Sequence, residues 1–162
     1  KFTRNSIIAF DFKEALSFEG ETGPYCQYSA VRANSIFRKL DAAAQAESIE
    51  KMRQAGSNEV SVRDEITRIF EGESGDEIWS LVTLAARMDE AIAQAVSTAE
   101  PSLVARYTFN LARAFNLFYH RHRIIAEEDA TRRAVLVAVA DIARRQLTSA
   151  LSTLGINVPE RM

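Results

Sequence analysis

The stretch SLVARYTFNLARAFNLFYHRH, residues 102–122, has the apolar spacing of one long amphipathic helix. Its large apolar side chains recur every three or four positions and so share one face of a helix with about 3.6 residues per turn. These residues are Val104, Tyr107, Leu111, Phe115 and Phe118. The next stretch, residues 128–154, is rich in Ala, Val and Leu on more than one face and stops at Gly155. We expect it to be the most buried helix.

Two further long helices are predicted upstream. The first covers residues 24–44 and begins with Pro24 in its first turn. The second covers residues 76–98, with one apolar stripe of Ile78, Leu81, Ala85, Met88, Ile92 and Val96. The polar stretch between them, residues 45–75, contains glycine breaks and one short helix carrying Val62, Ile66, Ile69 and Phe70. With no sustained strand alternation, the sequence predicts an all-α bundle of at least four main helices.

Composition limits the classes of protein that fit. The 162 residues suffice for one domain with a real core, and 26% of them are charged. No run of about 18 apolar residues occurs, so we expect no membrane span. Residues 1–12 lack the basic-then-apolar order of a signal peptide. The single cysteine, Cys26, excludes an internal disulfide and fits a cytoplasmic protein.

Charge is distributed unevenly along the chain. Residues 1–40 carry +2, residues 41–100 carry −8 and residues 101–162 carry +4, within a total of −2. Because a polyanion responds to local potential, the two ends of the chain could face nucleic acid while the middle turns away. Chance clustering on a solvated surface explains the charges equally well.

No set of residues predicts catalysis. Residues 20–23 lack the spacing and the lysine of a phosphate-binding loop. His120 and His122 are two positions apart on a predicted helix, where side chains do not share a face, so a metal site is not expected. Cys26 has no histidine near it in the sequence and fits a buried structural thiol. We expect no catalytic residue, metal or cofactor in this chain.

The first long helix carries a candidate binding face. Tyr25, Tyr28 and Arg32 fall within an arc of roughly 80°, outside the face that should pack inward. Aromatic rings stack on unpaired bases, and arginine contacts phosphates or stacks in turn. The alternative, that the tyrosines cover a seam between helices with their hydroxyls in water, is the one that periodicity alone favours.

The helix over residues 102–122 repeats this pattern. Phe115 and Tyr119 are four positions apart and therefore neighbours, and three basic residues surround them: Arg113, Arg121 and Arg123. Interleaved aromatic and basic groups suit single-stranded RNA. Phe115 also lies on the apolar stripe, so a core role is equally open for it.

Three motifs give the sequence a family resemblance. Residues 22–32 read TGPYCQYSAVR, residues 129–132 read DATR, and residues 154–162 read LGINVPERM. In this order they resemble the C-terminal, DALR-type anticodon-binding domain of arginyl-tRNA synthetases. The match departs from the family at Cys26, where leucine is usual, and at residues 29–31, but it retains Tyr25, Tyr28 and Arg32.

The resemblance implies a tRNA anticodon-binding domain whose partners are the anticodon stem-loop of arginine tRNA and a catalytic domain upstream. It assigns residues 1–22 to a connector or the last trace of that catalytic domain, residues 23–162 to the anticodon-binding helical domain, and residues 41–75 to a variable insertion. Neither membrane nor DNA is an expected partner. By position in the family, the anticodon-binding residues are Tyr25, Tyr28, Arg32, Phe115, Tyr119 and Met162.

The parent enzyme of this family is an ATP-dependent arginine–tRNA ligase of class I that uses ATP with Mg. The HIGH-like and KMSKS-like signatures of its catalytic domain are absent from this sequence. We therefore expect the chain alone to be inactive. Two alternatives remain: the anticodon-binding domain of another synthetase, such as the glycyl β-subunit, and a helical protein-interaction module with no RNA role.

Overall fold

A computed structural model describes residues 7, 9, 11–17, 20–56 and 60–162 of the chain. In these ranges it contains eight helical segments and no strand, which confirms the all-α prediction. The segments are α1 (Phe12–Ala15), α2 (Gly23–Lys39), α3 (Ala42–Gly56), α4 (Val60–Glu71), α5 (Gly75–Ala85), α6 (Met88–Thr98), α7 (Ser102–Arg121) and α8 (Ala130–Thr153).

The centre of the bundle is formed by α2, α7 and α8, which all pack against one another. Tyr25, near the start of α2, meets Phe109 of α7, and Arg32 meets Tyr119 further along both helices, so these two helices run parallel. The predicted apolar stripe of α7 is buried over its whole length, as the spacing of its residues predicts.

Helix α8 is the most buried helix in the described part of the chain, as predicted. Asp129 caps its first turn, because its carboxylate accepts a hydrogen bond from the backbone N–H of Arg132 at 2.9 Å. At the other end Gly155 adopts a φ of 73°, and the N–H of Ile156 reaches back to the carbonyl of Leu151 at 2.8 Å. This left-handed C-terminal cap directs the last residues away from the helix axis.

The prediction of one helix over residues 76–98 is wrong, because two helices, α5 and α6, occupy this stretch. The helix breaks at Ala86 and Arg87, where the N–H of Arg87 bonds to the carbonyl of Leu84 at 3.2 Å in a tighter turn. The carbonyl of Ala85 accepts instead from the buried hydroxyl of Tyr107 at 2.9 Å. The change of axis leaves Val96 exposed, although it was assigned to the buried stripe.

The first long helix is also shorter than predicted. It ends at Lys39 rather than near residue 44, and Leu40 has extended backbone angles. The side chain of Asp41 then accepts from the N–H of Ala44 at 2.7 Å, which starts α3. Gln45 of α3 stabilises the turn between α2 and α3, since its amide donates to the carbonyls of Phe37 and Leu40 at 3.0 and 2.9 Å.

The stretch assigned to a variable insertion, residues 41–75, forms α3 and α4, and both helices pack on α8. The short helix predicted there corresponds to α4, whereas α3 was not predicted. Glu47 of α3 pairs with Arg133 at 3.1 Å, and Glu65 of α4 accepts from Thr131 at 2.8 Å. The segment is thus part of the bundle, and its variability among relatives stays a prediction.

Upstream of α2 the structure describes only part of the chain. Ile7, Phe12 and Leu16 are exposed, while Ile8 and Phe10 lie outside the described residues. The assignment of residues 1–22 as a connector stays a prediction. Within the described ranges, no helix has the length and apolar character needed to cross a membrane.

Candidate functional site

Three predicted site residues meet on the outer side of the seam between α2 and α7: Tyr28, Arg32 and Tyr119. The guanidinium carbon of Arg32 lies 4.6 Å from the ring centroid of Tyr28 and 5.1 Å from that of Tyr119. Both distances are within cation–π range. We call these residues the Tyr28–Arg32–Tyr119 cluster. It brings two aromatic rings and one cation onto a surface that solvent reaches.

Arg32 is held by hydrogen bonds to neutral groups. Its Nη1 donates to Oδ1 of Asn116 at 2.9 Å, and its Nη2 donates to the hydroxyl of Tyr28 at 2.8 Å. Among the ion pairs of the described residues, none involves Arg32, whereas Arg121 pairs with Glu77 and Arg144 with Asp141. A guanidinium has more N–H donors than these two bonds use. The cluster therefore presents an uncompensated positive charge and spare donors.

Asn116 belongs to the site but was not predicted from the sequence. Its Nδ2 donates to the hydroxyl of buried Ser29 at 2.8 Å, and that hydroxyl donates to the carbonyl of Tyr25 at 2.8 Å. The sequence marks this position only by an asparagine between the aromatic residues of α7. Asparagine is unfavourable inside a helix unless its amide finds hydrogen-bond partners.

Tyr25 and Phe115 have supporting positions. Tyr25 is half-buried and packs on Phe109 with ring centroids 5.4 Å apart. Phe115 has no exposed surface and lies 6.3 Å from the ring of Tyr119. A base cannot stack on Phe115 in this arrangement, so its place is the core stripe that the sequence left open. Its contact with Tyr119 supports that ring from the core side.

The C-terminal tail, residues 155–162, approaches α2 but is not joined to the cluster by any contact that the structure describes. The amide of Gln27 donates to the carbonyl of Asn157 at 2.7 Å, and Ile156 and Val158 pack on the core. Met162 is 50% exposed at the end of this tail. Because Gln27 precedes Tyr28, the tail lies against α2, the helix that carries Tyr28 and Arg32. The convergence of Met162 on the cluster stays a prediction.

The basic residues near the cluster differ in availability. Arg121 is engaged by Glu77 of α5. Arg113 and Arg123 are exposed, and neither forms an ion pair within the described part of the chain. On α7, Arg113 lies one helical turn before Asn116 and so borders the cluster, where it adds positive potential to that of Arg32.

The reactive groups elsewhere have structural surroundings. Burial raises the pKa of the Cys26 thiol to about 11, which keeps it protonated and unreactive. His120 is exposed, whereas His122 is buried against Phe118 with ring centroids 4.9 Å apart. Burial lowers the pKa of His122. No group of three or more His, Cys, Asp or Glu side chains suited to a metal ion occurs in the described ranges.

A helical bundle with an aromatic and cationic cluster at its surface suits a nucleic-acid-binding domain, and comparison with known families identifies the particular family. The model of the DALR anticodon binding domain family matches residues 26–162. The chain belongs to this family of tRNA anticodon-binding domains.

The relatives agree with this assignment. The chain is 36% identical over all its 162 residues to an arginine–tRNA ligase of Clostridium botulinum and 33% identical to that of Clostridium perfringens, and it spans 25% of each. The solved arginyl-tRNA synthetase of Thermus thermophilus matches 94% of this chain with 23% of its own length, at 26% identity and a TM-score of 0.69. The chain therefore spans about a quarter of the relatives it matches. The comparisons favour neither a glycyl β-subunit nor a protein-interaction module.

Proposed function

We propose that this chain binds the anticodon loop of arginine tRNA and that the Tyr28–Arg32–Tyr119 cluster contacts its unpaired bases and phosphates. The observation that carries the proposal is the guanidinium of half-buried Arg32 between two tyrosine rings, at 4.6 and 5.1 Å, without a carboxylate partner in the described residues. Tyrosine 28 is 37% exposed, so one part of its surface is free for stacking. Anticodon bases are splayed out of the helix and offer both faces to such rings.

The division of labour within the cluster follows from its chemistry. Tyr28 and Tyr119 stack on any base, because every base has a π-face. Arg32 donates hydrogen bonds to acceptors on a base edge or a phosphate, and Arg113 adds attraction for the RNA backbone. Phe115 supports the ring of Tyr119 from the core, and Tyr25 packs on Phe109 at the same seam. Met162, at the end of the tail beside α2, would close the site on its remaining side.

We further propose that the chain acts as the anticodon-binding part of an arginine–tRNA ligase. The complete enzyme would activate arginine with ATP and Mg and transfer it to the tRNA in a catalytic domain upstream of this chain. The similarity of the whole chain to one quarter of the arginine–tRNA ligases that it matches supports this proposal. Without that domain the chain should not catalyse arginine-dependent pyrophosphate exchange.

The test is a titration of the chain with an arginine tRNA transcript over a series of salt concentrations. Binding through phosphates should weaken linearly on a logarithmic plot of affinity against salt. Arg113→Gln should reduce the slope of that plot by about one, while Arg63→Gln, on α4 away from the cluster, should leave it unchanged. No measurable binding, or binding that salt does not affect, would favour the protein-interaction alternative.

A further inference from the structure

Asn116 has a fixed orientation that the surrounding hydrogen bonds determine. The hydroxyl of Ser29 donates its proton to the carbonyl of Tyr25, so toward Asn116 its oxygen can only accept. The amide nitrogen of Asn116 must therefore face Ser29, and its carbonyl oxygen must face Arg32. Since Ser29 is fully buried, this arrangement is anchored inside the protein rather than at its surface.

Arg32 is therefore held by an uncharged acceptor, the amide oxygen of Asn116. Other partly buried arginines of this protein are tied to carboxylates: Arg132 to Glu127 at 3.1 Å and Arg144 to Asp141 at 2.6 Å. An aspartate has nearly the same shape as an asparagine and could accept from Arg32, but it would neutralise the guanidinium and could not donate to Ser29. The amide holds the side chain and leaves its charge for a ligand.

We propose that Asn116 is a positioning residue for RNA recognition: it fixes the Arg32 guanidinium between the rings of Tyr28 and Tyr119 with its positive charge uncompensated. This inference rests on the proposed function. A free arginine side chain loses rotamer freedom when it binds, and a guanidinium that is already fixed loses less. Asn116 contributes to affinity through Arg32, without contact with the RNA.

A double-mutant cycle on the complete ligase, titrated with an arginine tRNA transcript, tests this proposal. Arg32→Gln should weaken binding about tenfold or more, because a charge-assisted contact is lost. Asn116→Ala should weaken it about two- to tenfold, the cost of ordering one long side chain. The double variant should bind like Arg32→Gln alone, since Asn116 has no effect once Arg32 is absent. Asn110→Ala, an asparagine of α7 that borders α6, is the matched control.

Asn116→Asp supplies a readout that a structural role would not change. It retains the acceptor for Arg32 but places a negative charge against the guanidinium. Affinity should fall further than with Asn116→Ala, and the slope of log affinity against log salt should decrease by about one. The carboxylate has no N–H to donate to Ser29, so the Ser29 hydroxyl must turn its proton toward it. A melting curve checks that the variant is folded, and it then carries the test if Asn116→Ala does not fold.

The outcomes separate the two proposals. If Arg32→Gln binds like the unsubstituted protein, the cluster does not contact RNA and both proposals fail. If Arg32→Gln weakens binding while Asn116→Ala and Asn116→Asp do not, the proposed function stands and the positioning role of Asn116 is wrong. Additive effects in the double variant would likewise assign Asn116 a role independent of Arg32.

Discussion

Replacing Tyr28 by alanine should weaken tRNA binding more than it weakens the fold. Tyr28 is 37% exposed, and its described contacts are a hydrogen bond and a cation–π contact, both with Arg32. The loss of an exposed cation–π contact costs about 0.5–1 kcal/mol of folding free energy. The loss of one base–aromatic stack costs about 1–3 kcal/mol of binding free energy, which is about 5- to 150-fold in the dissociation constant.

The assay is aminoacylation by the complete ligase at varied tRNA concentration. The apparent affinity for tRNA should fall by that factor, while those for ATP and arginine stay nearly constant, because the catalytic domain is separate. Tyr28→Phe separates the two contributions, since it retains the ring and loses only the hydroxyl that Arg32 uses. It should bind better than Tyr28→Ala.

Trp79→Ala provides a matched control, because Trp79 is an aromatic residue of α5, 57% exposed and distant in sequence from the cluster. It should leave tRNA dependence unchanged. A Tyr28→Ala variant that melts like the unsubstituted protein and charges tRNA with unaltered tRNA dependence would refute the reasoning. In that case Tyr28 covers the seam between α2 and α7, which is the role that periodicity alone favours.

Three predictions concern the scaffold. Burial raises the pKa of Cys26 from 9.0 to about 11, so its thiolate is about a hundredfold scarcer than that of a free cysteine. Iodoacetamide should therefore label Cys26 only after the protein unfolds. Rapid labelling of the native protein would contradict the burial of this thiol. Burial holds the pKa of His122 below its ordinary 6.5, with Glu77, Glu127, Arg121 and Arg132 nearby. As pH falls through about 6.5, the unfolded chain binds a proton that the folded chain does not, so the free energy of unfolding should decrease. In urea titrations His122→Gln should flatten this pH dependence of the free energy of unfolding. The control, His120→Gln at an exposed position, should leave the pH dependence unchanged. Tyr107→Phe leaves the buried carbonyl of Ala85 without its partner at the break between α5 and α6. The free energy of unfolding should fall by about 1–3 kcal/mol, which lowers the calorimetric melting temperature by about 2–12 °C. An unchanged melting temperature would show that the break does not depend on this bond.

The long helices of the bundle could be predicted because their apolar spacing is strict. The stripe of α7 from Val104 to Phe118 and the ends of α8 at Asp129 and Gly155 follow from periodicity and capping chemistry. The break at Ala86 could not, since neither glycine nor proline marks it. The carbonyl of Ala85 at this break is satisfied by the hydroxyl of Tyr107, which lies 22 positions away along the chain. The acidic residues of the next turn, Asp89 and Glu90, were the local sign of a new helix start.

The site was predictable to a similar extent. Tyr28 and Arg32 could be selected because their spacing leaves them off the core face of the first helix, and Tyr119 because it lies one turn from Phe115 among basic residues. The structure brings all three together. Asn116 was marked only as an asparagine inside a helix, and its role could not be predicted, since that role depends on how α2 and α7 lie against each other. The position of Phe115 was ambiguous for a related reason: only the packing of neighbouring helices shows that its surface is fully covered.

The central claim is that this chain reads the anticodon of arginine tRNA, and binding to a tRNA with one altered anticodon base tests it most directly. Arginine tRNAs are expected from the family resemblance to share a cytosine at the middle anticodon position. A transcript with uracil there should bind the complete ligase about 5- to 150-fold more weakly than the unaltered transcript, the usual cost of about 1–3 kcal/mol for one wrong base. The Arg32→Gln variant should discriminate less between the two transcripts. Equal affinity of the unsubstituted protein for both transcripts would contradict the claim.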